Sequence, residues 1–190
     1  MSLKILDLNN FWSPTGGGVR RYHLEKLSFQ KENSDITYQF GMGDSHNALE
    51  EISSTCTIRH YPAFKFPGNW QYRFALSTSA LVKVIQDFNP DIIEIGSPYI
   101  MPWKVFKAIK KTNSKAKVVG FWHADFPVTY INRFFSKFGE SIGRFMEDLA
   151  WKYAQKAFNK MDGVFVSSEV IQARMIAKGI KNTMFLPLGC

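Results

Sequence analysis

The sequence predicts an α/β fold built on a parallel sheet with helices on both faces, and three observations carry that expectation. Short apolar runs of strand length alternate with stretches of helical spacing along the chain. The first run, Ile5-Leu6-Asp7-Leu8, breaks at Pro14 and the triplet Gly16-Gly17-Gly18 before helical spacing begins at Val19. Two later runs, Asp91–Ile95 and Val118–Trp122, are apolar in the manner of strands covered on both faces.

The elements follow in order. After the first strand, Val19, Tyr22, Leu24 and Leu27 are spaced for a helix from about Val19 to Lys31, with no Gly or Pro inside it. Ile36–Phe40 and Cys56–Tyr61 read as strands separated by a polar, turn-rich stretch through Gly41, Gly43, Asp44 and Asn47. Phe74, Leu81, Ile85 and Phe88 share one helical face, and Asn89-Pro90 stops that helix just before the Asp91–Ile95 strand. A helix through Trp103, Phe106 and Ile109 leads to the Val118–Trp122 strand. The longest helix is expected from about Ser141 to Lys160, burying Ile142, Phe145, Leu149, Tyr153 and Ala157. Val164-Phe165-Val166 is the next strand, and Ser167-Ser168-Glu169 supplies a cap and an acidic first turn to a helix that buries Ile171 and Met175 and ends at Gly179. Met184-Phe185-Leu186 closes the pattern, which contains no internal repeat.

Composition narrows the function classes. The chain has 190 residues, 24 Lys+Arg against 16 Asp+Glu for a net charge of +8, and 45% hydrophobic residues, which is enough to bury a core. No run approaches the ~18 apolar residues that a membrane-spanning helix needs. Residues 1–10 lack the basic start and long apolar centre of a secretion signal. The two cysteines, Cys56 and Cys190, cannot make a disulfide framework, so a reducing cytoplasm is the expected location. His23, His46 and His60 show no metal-ligand spacing, and no metal site is expected.

In open parallel sheets ligands gather beyond the carboxyl ends of the strands, so candidate residues are sought in the loops there. Gly16, Gly17 and Gly18 precede a helix N-terminus, where free backbone amides meet an anion or where the chain simply turns. The Gly-x-Gly-x-x-Gly fingerprint of dinucleotide enzymes is absent, and so is a P-loop. Arg20 and Arg21 in the first helical turn oppose the helix dipole, which marks them for a phosphate or carboxylate against the simpler reading of a solvated surface. His123 follows the Val118–Trp122 strand directly. Its imidazole serves either a sugar hydroxyl and the charge at a reacting centre or the backbone around it, while Asp125 orients it or caps the next helix. Ser97 and Tyr99 hold the matching position after the Asp91–Ile95 strand, as cleft lining or as an ordinary turn. The segment Arg59–Phe74 interleaves basic, aromatic and proline residues. Three readings fit it: stacking on single-stranded nucleic acid, contact with an anionic membrane surface, or a loop clamped by its own rings.

Several segments taken together are similar to one family. Ser13-Pro14-Thr15-Gly16-Gly17-Gly18-Val19-Arg20-Arg21-Tyr22, Asp91-Ile92-Ile93-Glu94, Phe121-Trp122-His123-Ala124-Asp125-Phe126-Pro127, Val164-Phe165-Val166-Ser167-Ser168 and Leu186-Pro187-Leu188-Gly189 stand in an order that resembles the amino-terminal domain of retaining glycosyltransferases of the GT-B fold, glycosyltransferase family 4. The resemblance implies a Rossmann-like parallel sheet, one half of a GT-B fold, with residues 1–190 forming the acceptor-side domain. The partner domain that binds the nucleotide-diphosphate sugar would begin just beyond Gly189. It also implies no cofactor and no metal, Gly17 and Gly18 near the donor phosphates, His123 against the transferred sugar, and Asp125 as a weaker match. The branch is similar to enzymes that glycosylate lipid- or polyprenol-linked acceptors, and the basic-aromatic segment Arg59–Phe74 with the net charge of +8 gives the expectation of a cytoplasmic protein peripheral to an anionic membrane surface. The expected function is sugar transfer to a glycan or lipid-linked acceptor, with the isolated half inactive and no nucleic acid as partner. The alternative is a non-enzymatic module that binds a phosphorylated, lipid or nucleic-acid ligand.

Overall fold

The computed structural model describes residues 2–10, 17–66, 69–74 and 77–187. The chain divides into two compact units, Met1–Val119 and Gly120–Cys190. The sheet is eight-stranded and mostly parallel, in the order β10-β9-β8-β7-β1-β2-β4-β3. It has the Rossmann-like α/β architecture that the alternating pattern predicts.

In the first unit, β1 (Leu3–Asn9) is central. It pairs in parallel with β2 (Ile36–Asp44) on one side and β7 (Ile92–Ile95) on the other, and β2 pairs in parallel with β4 (Cys56–Pro62). This register sets Asp7 opposite both Phe40 and Glu94. Leu6, Leu8, Phe40, Ile93 and Ile95 are buried, and Leu27, Tyr38, Phe40 and Cys56 form one cluster. The surrounding helices are α1 (Gly18–Glu32), α2 (Thr78–Phe88) and α3 (Met101–Thr112). Asn89 and Asn113 end α2 and α3 in the left-handed conformation, each returning its backbone N–H to the helix at Ile85 O and Ile109 O.

Two expectations fail in this unit. The turn-rich stretch after β2 contains β3 (Ala48–Glu51), antiparallel to β4 at the sheet edge. Its side chains are exposed or half-buried, so it shows no buried alternation to read, and Glu50 and Glu51 suit an edge that discourages further pairing. Phe74 is not helical. It belongs to a two-stranded ribbon of β5 (Phe64–Phe66) and β6 (Asn69–Phe74), where it pairs with Phe64 while Arg73 Nη1 donates to Ala63 O at 3.3 Å.

In the second unit, β8 (Lys117–Trp122), which begins in the first unit, is followed by β9 (Gly163–Val166) and by β10 (Thr183–Phe185), parallel to β9. Gly120 fits closely. A Cβ there would lie 2.7 Å from Met161 Sδ and 2.9 Å from Phe158 Cε1. A π-helical turn (Pro127–Asn132) passes through the short α4 (Arg133–Phe135) and a 3-10 turn (Ser136–Phe138) into α5 (Glu140–Phe158), and α6 (Glu169–Ala177) follows β9. Gly179, at φ 78°, terminates α6 as its position in the sequence predicts.

The buried face of α5 is the third correction. Gly143, Trp151, Ala154, Ala157 and Phe158 are inside, whereas Ile142, Phe145 and Leu149 are exposed. Trp151 stacks on Trp122 at 5.7 Å between centroids, and Phe158 meets the edge of Trp122 at 5.0 Å. Burying these two large rings rotates the helix about its axis, and only Ala157 belongs to both faces.

Candidate functional site

The carboxyl ends of β1 and β7 lie side by side in the first unit. Gly96 N donates to Leu8 O at 3.1 Å, which continues the ladder past Ile95 and delivers Ser97 to the same edge as Asn9 and Asn10. Ser97 is buried, and its hydroxyl has no hydrogen-bond partner among the described residues. Tyr99 is half-buried two residues on. Gly16 lies outside the described residues. Gly17 takes the N-cap position of α1 and Gly18 begins the helix. Neither has a positive φ, and among the described residues nothing stands within 4 Å of a Cβ built on either. The fold therefore does not itself demand glycine at these positions. What their lack of side chains provides is access to the amide groups at the end of a fifteen-residue helix.

Arg20 and Arg21 occupy the first turn of α1, which contains no acid. Arg20 is half-buried, while Arg21 is exposed and pairs loosely with Glu25 one turn on, at 3.7 Å. An exposed pair of this kind contributes little stability, so Arg21 remains available to another anion.

Beneath this edge is a polar network that strand and helix patterns did not single out. The carboxylate of Asp7 on β1 receives Lys26 Nζ at 2.7 Å and the Tyr38 hydroxyl at 2.7 Å, with His23 Nδ1 at 3.2 Å. Lys26 also reaches Glu94 Oε2 on β7 at 2.8 Å, and the Tyr22 hydroxyl donates to Glu94 Oε1 at 3.1 Å. Asn9 Nδ2 and His23 Nε2 are 2.6 Å apart. Burial alone would raise the Asp7 carboxyl, but Lys26 and His23 beside it hold it far below the usual carboxylate range. Burial, then the Asp7 charge, pushes Glu94 up against the pull of Lys26. Burial opposes the Lys26 ammonium, yet the two carboxylates raise it well above the usual lysine range. The sequence did hold a signal. Asp7 and Glu94 each interrupt a strand whose neighbours are fully apolar, and the register makes them adjacent.

In the second unit, His123 follows β8 immediately, half-buried and stacked on Phe121 at 4.3 Å between centroids. Asp125 is buried, and its carboxylate Oδ2 accepts from Arg174 Nη1 of α6. Its backbone oxygen accepts Thr129 N at 2.8 Å, opening the π-helical turn. Burial raises the Asp125 carboxyl, with Arg174 opposing. Ser168 is the N-cap residue of α6 without a side-chain capping bond, and Glu169 supplies the acidic first turn.

Among the described residues one group of potential metal ligands arises where spacing in the sequence suggested none. Asp44, His46 and His60 bring their ligand atoms within 4.8 Å of one another at the β2–β4 edge. The Asp44 carboxylate already accepts from Ser45 N at 2.6 Å and pairs with His60 Nδ1 at 3.0 Å, contacts that hold it below its usual range despite partial burial.

Comparison with solved structures identifies relatives of this fold. The chain is similar to an alpha,alpha-trehalose-phosphate synthase (UDP-forming) from Burkholderia xenovorans, with a TM-score of 0.60 and 10% identity over 97% of this chain and 49% of that one. It is also similar to the corresponding enzyme from Burkholderia vietnamiensis, with a TM-score of 0.50 and 13% identity over 100% of this chain and 49% of that one. It therefore spans about half the length of these relatives. No curated protein matches by sequence. The model of Glycosyltransferase Family 4 matches residues 17–189, from the N-cap glycine of α1 to the segment beyond β10, and the chain belongs to that family.

Proposed function

We propose that this chain is the acceptor-side half of a retaining glycosyltransferase, which moves a sugar from a nucleotide-diphosphate sugar to a glycan or lipid-linked acceptor. The observation that carries the reading is the N-terminus of α1, where among the described residues nothing stands within 4 Å of a Cβ built on Gly17 or Gly18 and Arg20 adds a fixed positive charge. Departure of a diphosphate develops negative charge on phosphate oxygens, and oriented N–H groups with an arginine stabilise that charge without reorganising. The Burkholderia xenovorans relative is UDP-forming and was solved with glucose-6-phosphate, which supports a nucleotide-sugar donor for this chain as well.

His123 is assigned to the donor sugar. Its stacking on Phe121 at the end of β8 fixes the ring plane, and an imidazole can hydrogen-bond a sugar hydroxyl as charge grows at the anomeric carbon. Asp125 is paired with Arg174, which supports a positioning role for it. Ser97 and Tyr99 are assigned to substrate contact beside Asn9, and the buried Ser97 hydroxyl, without a hydrogen-bond partner among the described residues, supports that reading.

The test is transfer kinetics in a polypeptide that also carries a nucleotide-sugar domain. There His123→Ala is expected to lose roughly 2–4 kcal/mol of transition-state stabilisation, a hundredfold or more in rate, with thermal unfolding nearly unchanged. Near-normal transfer, or a loss that tracks unfolding, would reject the role. Binding of nucleotide sugars or acceptors with no transfer in such a polypeptide would favour the non-enzymatic alternative.

A further inference from the structure

The displaced face of α5 leaves a large apolar surface uncovered in the second unit. Ile142, Phe145 and Leu149 follow one another at helical spacing, and Phe145 is 63% exposed. The turn before α5 adds Phe134 and Phe138, 54% and 67% exposed, with their ring centroids 6.1 Å apart. Tyr130 is exposed one turn earlier. Ser136 packs directly on Gly143, where no side chain intervenes, and this contact holds the aromatic turn against the first part of α5.

Basic residues outnumber the acids around this face, and the acids are paired. Lys152 and Lys156 continue the Phe145–Leu149 stripe along the same side of the helix, and both are exposed. Arg133 flanks the turn, and Lys137 Nζ sits 5.9 Å from the Phe134 centroid. The acids of the segment are turned away or engaged. Glu140 lies on the far side of α5, paired loosely with Arg144, Glu147 accepts from Asn132 and Trp151, and Asp148 pairs with Lys178 at 3.1 Å. Among the described residues no helix is long and apolar enough to cross a membrane, so a helix of this kind lies in an interface and does not span it.

We propose that this face, Tyr130 to Leu149 with Lys152 and Lys156, seats the protein on an anionic lipid bilayer. The aromatic rings enter the headgroup boundary and the lysines and arginines meet the lipid phosphates. The proposal deepens the reading of a lipid-linked acceptor, and it assigns the contact to a surface other than Arg59–Phe74. Two groups of that segment are already taken up by the fold. Arg59 pairs with Asp87 at 2.9 Å, and Tyr61 is buried.

The experiment is co-sedimentation of the 190-residue chain with phosphatidylcholine vesicles, with and without phosphatidylglycerol. Binding is expected only with phosphatidylglycerol present, and it should weaken as salt is added. The triple variant Phe134→Ser, Phe138→Ser, Phe145→Ser is expected to abolish binding while keeping the circular-dichroism melt of the parent, since all three rings are exposed. The pair Lys152→Glu and Lys156→Glu leaves the rings intact and should weaken binding by at least about five-fold for each residue changed. Equal binding to neutral vesicles, unchanged binding by the triple variant, or no binding by the parent would overturn the proposal. So would concentration-dependent self-association that the triple variant removes, which would make a second copy the occupant. Sedimentation reads no sugar transfer, so a negative result removes this surface and leaves the proposed transfer untouched.

Discussion

At the scale of single residues, Lys26 has the largest expected effect. It is the only lysine or arginine between Asp7 and Glu94 in the described network, and replacing it by Met leaves two buried carboxylates facing each other without their cation. The expected loss is roughly 3–5 kcal/mol in denaturant unfolding. The same network fixes opposite pH responses for its two acids. Asp7 titrates far below its unfolded value, so its contribution is present above the ordinary Asp range near ~4 and is lost as pH falls below it. Glu94 titrates above its unfolded value, so its contribution is present below the ordinary Glu range near ~4.3 and is lost as pH rises through its raised value. Unfolding measured against pH should show Asp7→Asn removing the acid-side loss and Glu94→Gln removing the decline above that range. A uniform shift of the whole curve by either variant would reject the assignment. The place of His123 directly after β8 was legible in the sequence, because a polar residue at the end of an apolar strand stands out. The partnership of Asp7 with Glu94 was not, because it depends on which strands become neighbours, and that is a property of the topology.

At the scale of elements, the order of strands and helices followed from period and punctuation. Asn89-Pro90 and Gly179 end helices where such residues must, through the left-handed conformation or a missing N–H. The failures have a common physical origin. The edge strand β3 has no buried face, Phe74 pairs across a ribbon, and α5 carries apolar residues on two sides, so the sequence alone offers two candidate faces for it. Packing of Trp151 and Phe158 against Trp122 decides between them. β8 gives a direct check on how tightly this layer is built. Gly120→Ala would force a methyl against Met161 and Phe158, and a loss of roughly 1–3 kcal/mol is expected in urea unfolding. No measurable loss would mean that the Met161 thioether simply yields.

At the scale of the whole molecule, the chain spans about half the length of the solved relatives it matches, and the proposed chemistry needs both a donor site and an acceptor site. The 190-residue chain by itself is expected to fold and to give no turnover with any nucleotide sugar, checked by released nucleoside diphosphate. Steady turnover would overturn the two-domain reading. Folding of the whole can also be timed from within. Cys56 lies at 0% exposure in the cluster with Leu27, Tyr38 and Phe40, and burial raises its thiol. A sheltered thiol is a native stopwatch, because an alkylating reagent reaches it only when β2 and β4 part. In a Cys190→Ser background, the labelling rate at saturating reagent becomes the opening rate of the sheet, read without adding a single probe to the chain.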